Sequence, residues 1–182
     1  MRTLRGMMPQ VEMTVAVEFA ESLQLPGGPN QEISPETNPE TSPEINQELM
    51  VNWVAALAED PMLSDYSDAL AGDICIRFCD EGESADTNSA YRGRDYPTNV
   101  LSFPAEVTAP DVAILGDLLI CLPVVLAEAA SQKKSPDHHL RHLVLHGVLH
   151  LLGFDHVEER QAQQMEDLER NHLARFGIPD PY

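Results

Sequence analysis

Polar and apolar positions alternate approximately over Val11–Ala20, which predicts a first β-strand. Near Ile45 the period changes. Leu49, Trp53, Ala56 and Leu57 fall at helical spacing and predict a helix that ends before Pro61, with Trp53 as a core anchor. Further on, Asp73–Cys79, Asn99–Phe103 and Gly116–Leu122 read as three more strands, and Glu83–Tyr91 as a short helix. After Pro123 the apolar positions 124, 125 and 126 lead into a helix that stops near Ser135 and Pro136. A second helix runs from Asp137 to Leu152, and the last from about Val157 to Phe176, ended by Gly177 and Pro179. Strands early and helices late predict an α+β domain, a small mixed β-sheet covered by helices.

The pattern is interrupted once. Residues 26–48 read PGGPNQEISPETNPETSPEINQE, in which Pro35, Pro39 and Pro43 recur every four residues, as do Glu32, Glu36, Glu40, Glu44 and Glu48. Proline at this density forbids a helix interior, and without apolar side chains the tract cannot offset its ordering entropy. A low-complexity insertion into a single domain spanning residues 1–182 is the expectation, because the remaining chain has the length of one ordinary globular unit.

Charge narrows the function. Acidic residues number 30 against 11 basic ones, a net charge of −19, and 13 of the acids lie between Gly6 and Ile76, where no Lys or Arg occurs. A uniformly basic nucleic-acid binder is excluded, so any anionic partner must meet a local basic spot or a metal. Cys75, Cys79 and Cys121 are an odd number set in apolar runs, which predicts small core residues in a reducing compartment rather than a disulfide framework. Pro9 and Glu12 interrupt the segment after Met1–Arg5 before a signal peptide's apolar core develops, and the longest apolar stretch, Val112–Ala127, contains Asp117 and Pro123. The expectation is a cytoplasmic protein with no membrane partner.

The chemistry concentrates in LVLHGVLHLL, residues 143–152, where His146 and His150 with Gly147 interrupt a wholly apolar text. Four residues apart, the two imidazoles share one face of a helix, one turn apart. In apolar surroundings their nitrogens need partners, and a divalent metal satisfies both at once. Gly153 suits a left-handed helix end that turns the chain through Phe154 and Asp155 and brings His156 back toward the stripe. Offsets of four, seven and ten residues for His150, Gly153 and His156 reproduce the three-histidine zinc spacing of the metzincin proteases, whose open fourth position marks a catalytic rather than a structural ion. The glutamate that serves those proteases as general base is here Gly147. Peptide hydrolysis loses its base, whereas a metal still polarises a phosphoryl oxygen and activates water.

The other histidines are weighed more simply. His142 continues the series as a neighbour of the ligands or a substrate-facing group, while His139 and His172 are expected to face solvent. Asp155 either orients a ligand or caps the turn. Between Arg77 and Lys133 the only basic residues are Arg92 and Arg94, in the turn-rich segment YRGRDYPTNVLSF. Spacing alone leaves two roles open for them, a bidentate phosphate clamp and a surface ion pair with Asp95.

Three segments, YRGRDYPTNVLSFP (Tyr91–Pro104), LGDLLIC (Leu115–Cys121) and HGVLHLLGFDH (His146–His156), resemble the YbeY endoribonucleases, also described as rRNA maturation factors. The likeness covers roughly Asp73 to the C-terminus and leaves the tetrapeptide tract unaccounted for. It implies an α+β fold and a zinc-dependent, single-strand-specific endoribonuclease that acts in 16S rRNA 3′-end maturation and ribosome quality control. Single-stranded rRNA and the ribosome or its proteins would be its partners, with no part for DNA. It implies His146, His150 and His156 as ligands of one Zn²⁺ per chain, and Arg92 as the catalytic arginine of the YRG segment. Two rivals are a metalloprotease sharing the zinc site, against which Gly147 stands, and a non-catalytic ribosome-assembly factor with a structural zinc, which requires a fourth protein ligand.

Overall fold

Side-chain caps set where the helices begin. The computed structural model describes residues 13–23, 43–105 and 113–182. Asn46 accepts the Leu49 amide at 2.8 Å and opens α1, Gln47–Ala58. Asp80 accepts the Glu83 amide at 2.9 Å and opens α3, Glu81–Arg92, two residues earlier than the sequence pattern suggests. Pro61 ends the first helical pattern and starts a 3₁₀ turn, Pro61–Tyr66, whose N-cap is Asp60; α2, Ser67–Leu70, follows. The sequence reading has no element here, because a proline that stops one helix also fits the first turn of the next. The later helices are α4, Leu122–Gln132, α5, Pro136–Leu151, and α6, Glu159–Ala174.

Four strands, β1 Val15–Phe19, β2 Asp73–Cys79, β3 Val100–Pro104 and β4 Ile114–Cys121, form one sheet in the order β1-β2-β4-β3. β1, β2 and β4 are parallel, and β3 returns antiparallel to β4 at the edge. The mixed α+β architecture expected from the sequence is therefore present. Residues 24–42, which hold most of the low-complexity tract, lie outside the described residues, whereas the end of the tract is structured: Asn46 caps α1 and Gln47 and Glu48 lie in its first turn.

One face of the sheet carries the core. Ile74, Ile76 and Phe78 of β2 are buried, and Ile76 and Phe78 pair in register with Leu118 and Ile120 of β4. Cys79 lies opposite Cys121 across the same pair, both buried, whereas Cys75 is half-buried. Helix α5 presses on this core with Leu140, Leu143, Val144, Leu145, Val148, Leu149 and Leu151, each contributing about 2 kcal/mol by leaving water. Its closest approach is at Gly147. A Cβ built there would lie 2.8 Å from Leu118 Cδ2, and the Ser102 hydroxyl of β3 donates to the Gly147 carbonyl at 3.1 Å. The helix is thus seated by its glycine against β3 and β4, which turns His146 and His150 toward the open edge of β3. Among the described residues no helix is long and apolar enough to cross a membrane.

Candidate functional site

His146 and His150 project from α5, and the segment after it supplies the third imidazole. Gly153 adopts φ +89°, a left-handed backbone that bends the chain as the sequence predicts. The Asp155 carboxylate accepts the His156 backbone N–H at 2.7 Å, so Asp155 caps the turn. His146, His150 and His156 each present a ring nitrogen within 4.8 Å of the others, a group able to hold a metal ion.

Hydrogen bonding fixes which nitrogens converge. His150 Nδ1 donates to the Phe154 carbonyl at 3.0 Å, an oxygen that can only accept, and His146 Nδ1 donates to Glu169 Oε1 at 2.8 Å. In the neutral rings both Nε2 atoms then carry lone pairs, and they face each other at 3.1 Å. Only a proton or a cation between them reconciles two acceptors at that distance. Burial pushes the His150 pKa down, reinforced by the neighbouring His146 and His156, which favours the neutral form that binds metals. The donor set therefore fits a divalent transition metal.

Glu169 is the residue that sequence reasoning misses. It lies on α6 with its side chain fully buried and accepts from His146, from His142 Nε2 at 3.2 Å and from the Tyr182 hydroxyl. Burial alone raises its pKa, but the hydrogen bonds from His142, His146 and Tyr182 prevail and hold the carboxyl at about 2. His142 thus sits behind the ligand face. A signal was available in the sequence, since Met165, Leu168, Glu169, His172 and Leu173 fall on one buried helical stripe.

The same stripe corrects the expectation for His172. It is buried, not solvent-facing, and its Nδ1 bonds Asp60 at 2.9 Å. His139 is likewise buried, its Nε2 2.9 Å from Glu128, because it shares the inward stripe of Pro136, Leu140 and Leu143.

Arg92 ends α3, which places the YRG segment at a helix terminus rather than wholly in a turn. The Tyr91 ring packs on Phe103 of β3 with centroids 4.7 Å apart, anchoring that terminus beside the sheet edge. Buried Ser84 accepts the Thr98 amide and donates to its carbonyl, and Asn88 donates to the Tyr96 carbonyl at 2.7 Å, so α3 pins the following loop. Arg92 is exposed and forms no ion pair with Asp95, which accepts instead from the Ser89 hydroxyl. Arg94 donates to the Tyr96 hydroxyl at 3.3 Å. A cleft of about 600 Å³ is lined by Arg92 and Arg94 together with His146, His150 and His156.

Comparison with known proteins places the chain by its sequence. Residues 34–177 match the family model described as Endoribonuclease YbeY. A protein named Endoribonuclease YbeY from Pseudomonas putida strain W619 is 55% identical over 112 residues, 60% of this chain and 71% of that one. One of the same name from Chromohalobacter salexigens is 50% identical over 133 residues, 71% of this chain and 82% of its own. The solution structure of TM1509 from Thermotoga maritima superposes with a TM-score of 0.48 at 25% identity, covering 72% of this chain and 83% of that one. With most of its length matched by the family model and its histidine cleft built from the segments described above, the chain belongs to the YbeY endoribonuclease family.

Proposed function

We propose that this protein is a zinc-dependent, single-strand-specific endoribonuclease that processes precursor rRNA at the 16S 3′ end and serves ribosome quality control in the cytoplasm, as a single domain. The observation that carries the reading is the shared cleft. Three imidazoles and an arginine that forms no ion pair among the described residues line one cavity on a protein of charge −19. Such a cavity gives an RNA phosphate a local cationic landing point on a protein whose net charge repels polyanions.

His146, His150 and His156 hold one zinc ion per chain, and Arg92 contacts the scissile phosphate. A zinc ion there supplies Lewis-acid polarisation of a phosphoryl oxygen and activation of water. Arg92 offers a planar fork of N–H donors to the charge that develops on phosphate oxygens. Among the described residues no fourth protein ligand joins the three histidines, which favours a catalytic site over a closed structural one. Gly147 weighs against peptide hydrolysis twice over. It carries no base, and its Cβ direction runs into Leu118 rather than into the cleft, so a glutamate at this position would have to displace the sheet contact.

Zinc-loaded and chelated protein should be offered a single-stranded rRNA precursor, the same sequence as a duplex, and a peptide in parallel. Zinc-dependent cutting of the single strand alone is expected. Cleavage of the peptide, or RNA cleavage indifferent to chelation, counts against the assignment.

A further inference from the structure

We propose that Glu169 is the positioning residue of the metal centre, fixing the ring and tautomer of His146, and that Tyr182 holds Glu169 in place. The inference rests on the reading of His146 as a metal ligand and deepens it. His146 Nδ1 lies 2.8 Å from Glu169 Oε1, and the second oxygen, Oε2, is occupied by His142 Nε2 and the Tyr182 hydroxyl. The Glu169 side chain is fully buried, so water cannot substitute for any of these partners. With a carboxylate on the far side of the ring, the His146 proton is confined to Nδ1 and the Nε2 lone pair is aimed at His150 Nε2.

Tyr182 completes the arrangement from outside. The residue as a whole is 57% exposed; its ring meets His142 edge-on at 5.6 Å and lies beneath the Arg170 guanidinium at 4.9 Å, while its hydroxyl bonds the carboxylate. Burial and the adjacent carboxylate push the Tyr182 pKa up, so the phenol remains a donor. Rotation of Glu169 would break all three hydrogen bonds together.

The experiment uses the full chain. Nitrogen-15 NMR of the histidine rings in the metal-free protein near pH 8 is expected to show His146 protonated at Nδ1, the nitrogen that faces Glu169. A His146 ring bare at Nδ1 overturns the proposal without any variant. Zinc affinity, measured by competition with a chromophoric chelator, is expected to fall on the order of 10- to 100-fold in Glu169→Gln, with one zinc still bound at saturation. Tyr182→Phe should show a smaller loss and keep the fold. Unchanged affinity in both variants overturns the proposal. So does a parental stoichiometry of two with one zinc lost in Glu169→Gln, since His142, His146 and Glu169 would then be ligands of a second ion. A parent that binds no zinc, or a His150→Ala variant that retains it, refutes the metal-centre reading itself, and the two failures are thereby told apart.

Discussion

His172 and His146 each bond a buried carboxylate through Nδ1, Asp60 at 2.9 Å and Glu169 at 2.8 Å, yet the two pairs have different fates. The Asp60 cluster closes on itself. Its carboxylate also accepts from Arg175 Nη1 at 2.8 Å and the Met62 amide at 3.0 Å, and the His172 ring packs on Phe176 with centroids 5.2 Å apart. It ties α6 to the start of the 3₁₀ turn and ends there. The Glu169 cluster is open on one side, because the far nitrogen of His146 meets another acceptor at the edge of a cleft. A buried carboxylate beside a histidine therefore does not by itself mark a site. What distinguishes the His146 pair is that its free nitrogen converges with that of a second imidazole beside a cleft, whereas His172 lines no part of that cleft.

Removing one imidazole from each pair tests the distinction most strongly. His146→Ala or His150→Ala should take bound zinc from one per chain to none and abolish RNA cleavage, since two remaining ligands no longer define the site. His172→Ala should keep full zinc occupancy. Elemental analysis of the three purified variants decides the matter, and zinc retained in both cleft variants would dissolve the contrast.

Arg92 sharpens it from elsewhere in the cleft. Arg92→Ala should lower the cleavage rate on the order of 100-fold while zinc content and melting temperature stay near the parent's, because the guanidinium stabilises charge rather than structure. Arg92→Lys should rescue poorly, as a point charge does not reproduce a planar fork. Arg94→Ala should cost much less, since Arg94 already donates to Tyr96. Parental cleavage by Arg92→Ala would leave the phosphate to the metal alone.

The closed cluster should respond in stability instead. Asp60→Asn removes the carboxylate that accepts from the buried His172 and from Arg175, whose side chain is 42% exposed, and losing hydrogen bonds to a charged group costs about 2 kcal/mol. In a chain of 182 residues this lowers the melting temperature by roughly 4–8 °C. Per-zinc cleavage at a temperature where the variant is folded should match the parent. A variant as stable as the parent would show that the cluster contributes nothing net.

The difference between the clusters also explains what the sequence could convey. His146, His150, Gly153 and His156 are neighbours along the chain, so a periodicity of 3.6 and one turn suffice to bring them together. Strand Asp73–Cys79 was legible to the residue for the same reason of local pattern. Glu169 and Asp60 lie 23 and 112 positions from the histidines they bond; the apolar stripe of α6 marks Glu169 as inward-facing but does not identify its partner at that distance. Buried His139 and His172 were misread because a charge-bearing residue type outweighed its place on an apolar stripe. The first helix does end before Pro61, but the 3₁₀ turn that Pro61 opens is not legible, because one residue closes one element and begins another.

The smallest effect separates the clusters by pH. Burial holds the His172 pKa below its ordinary value of 6.5, against the opposing hydrogen bond that His172 donates to Asp60, with Arg141 and Arg175 adding repulsion. Asp60 is also depressed below 3.8, burial being outweighed by its hydrogen bonds from His172, the Met62 amide and Arg175. For a depressed group the unfolded chain binds the proton first. Its contribution is complete above the unfolded pKa and is lost as pH falls through the folded one. The His172 share should therefore begin to disappear below about pH 6.5, and the Asp60 share only below about pH 4. One such histidine adds at most about 1.4 kcal/mol per pH unit to the slope. Urea unfolding of chelated protein at pH 8, 6 and 5 should accordingly give a shallower pH dependence for His172→Gln than for the parent. The cleft histidines, present in both proteins, cancel in that difference. Parallel slopes would mean that His172 titrates alike in the folded and unfolded chain, and that the closed cluster is no better shielded from protons than the open one.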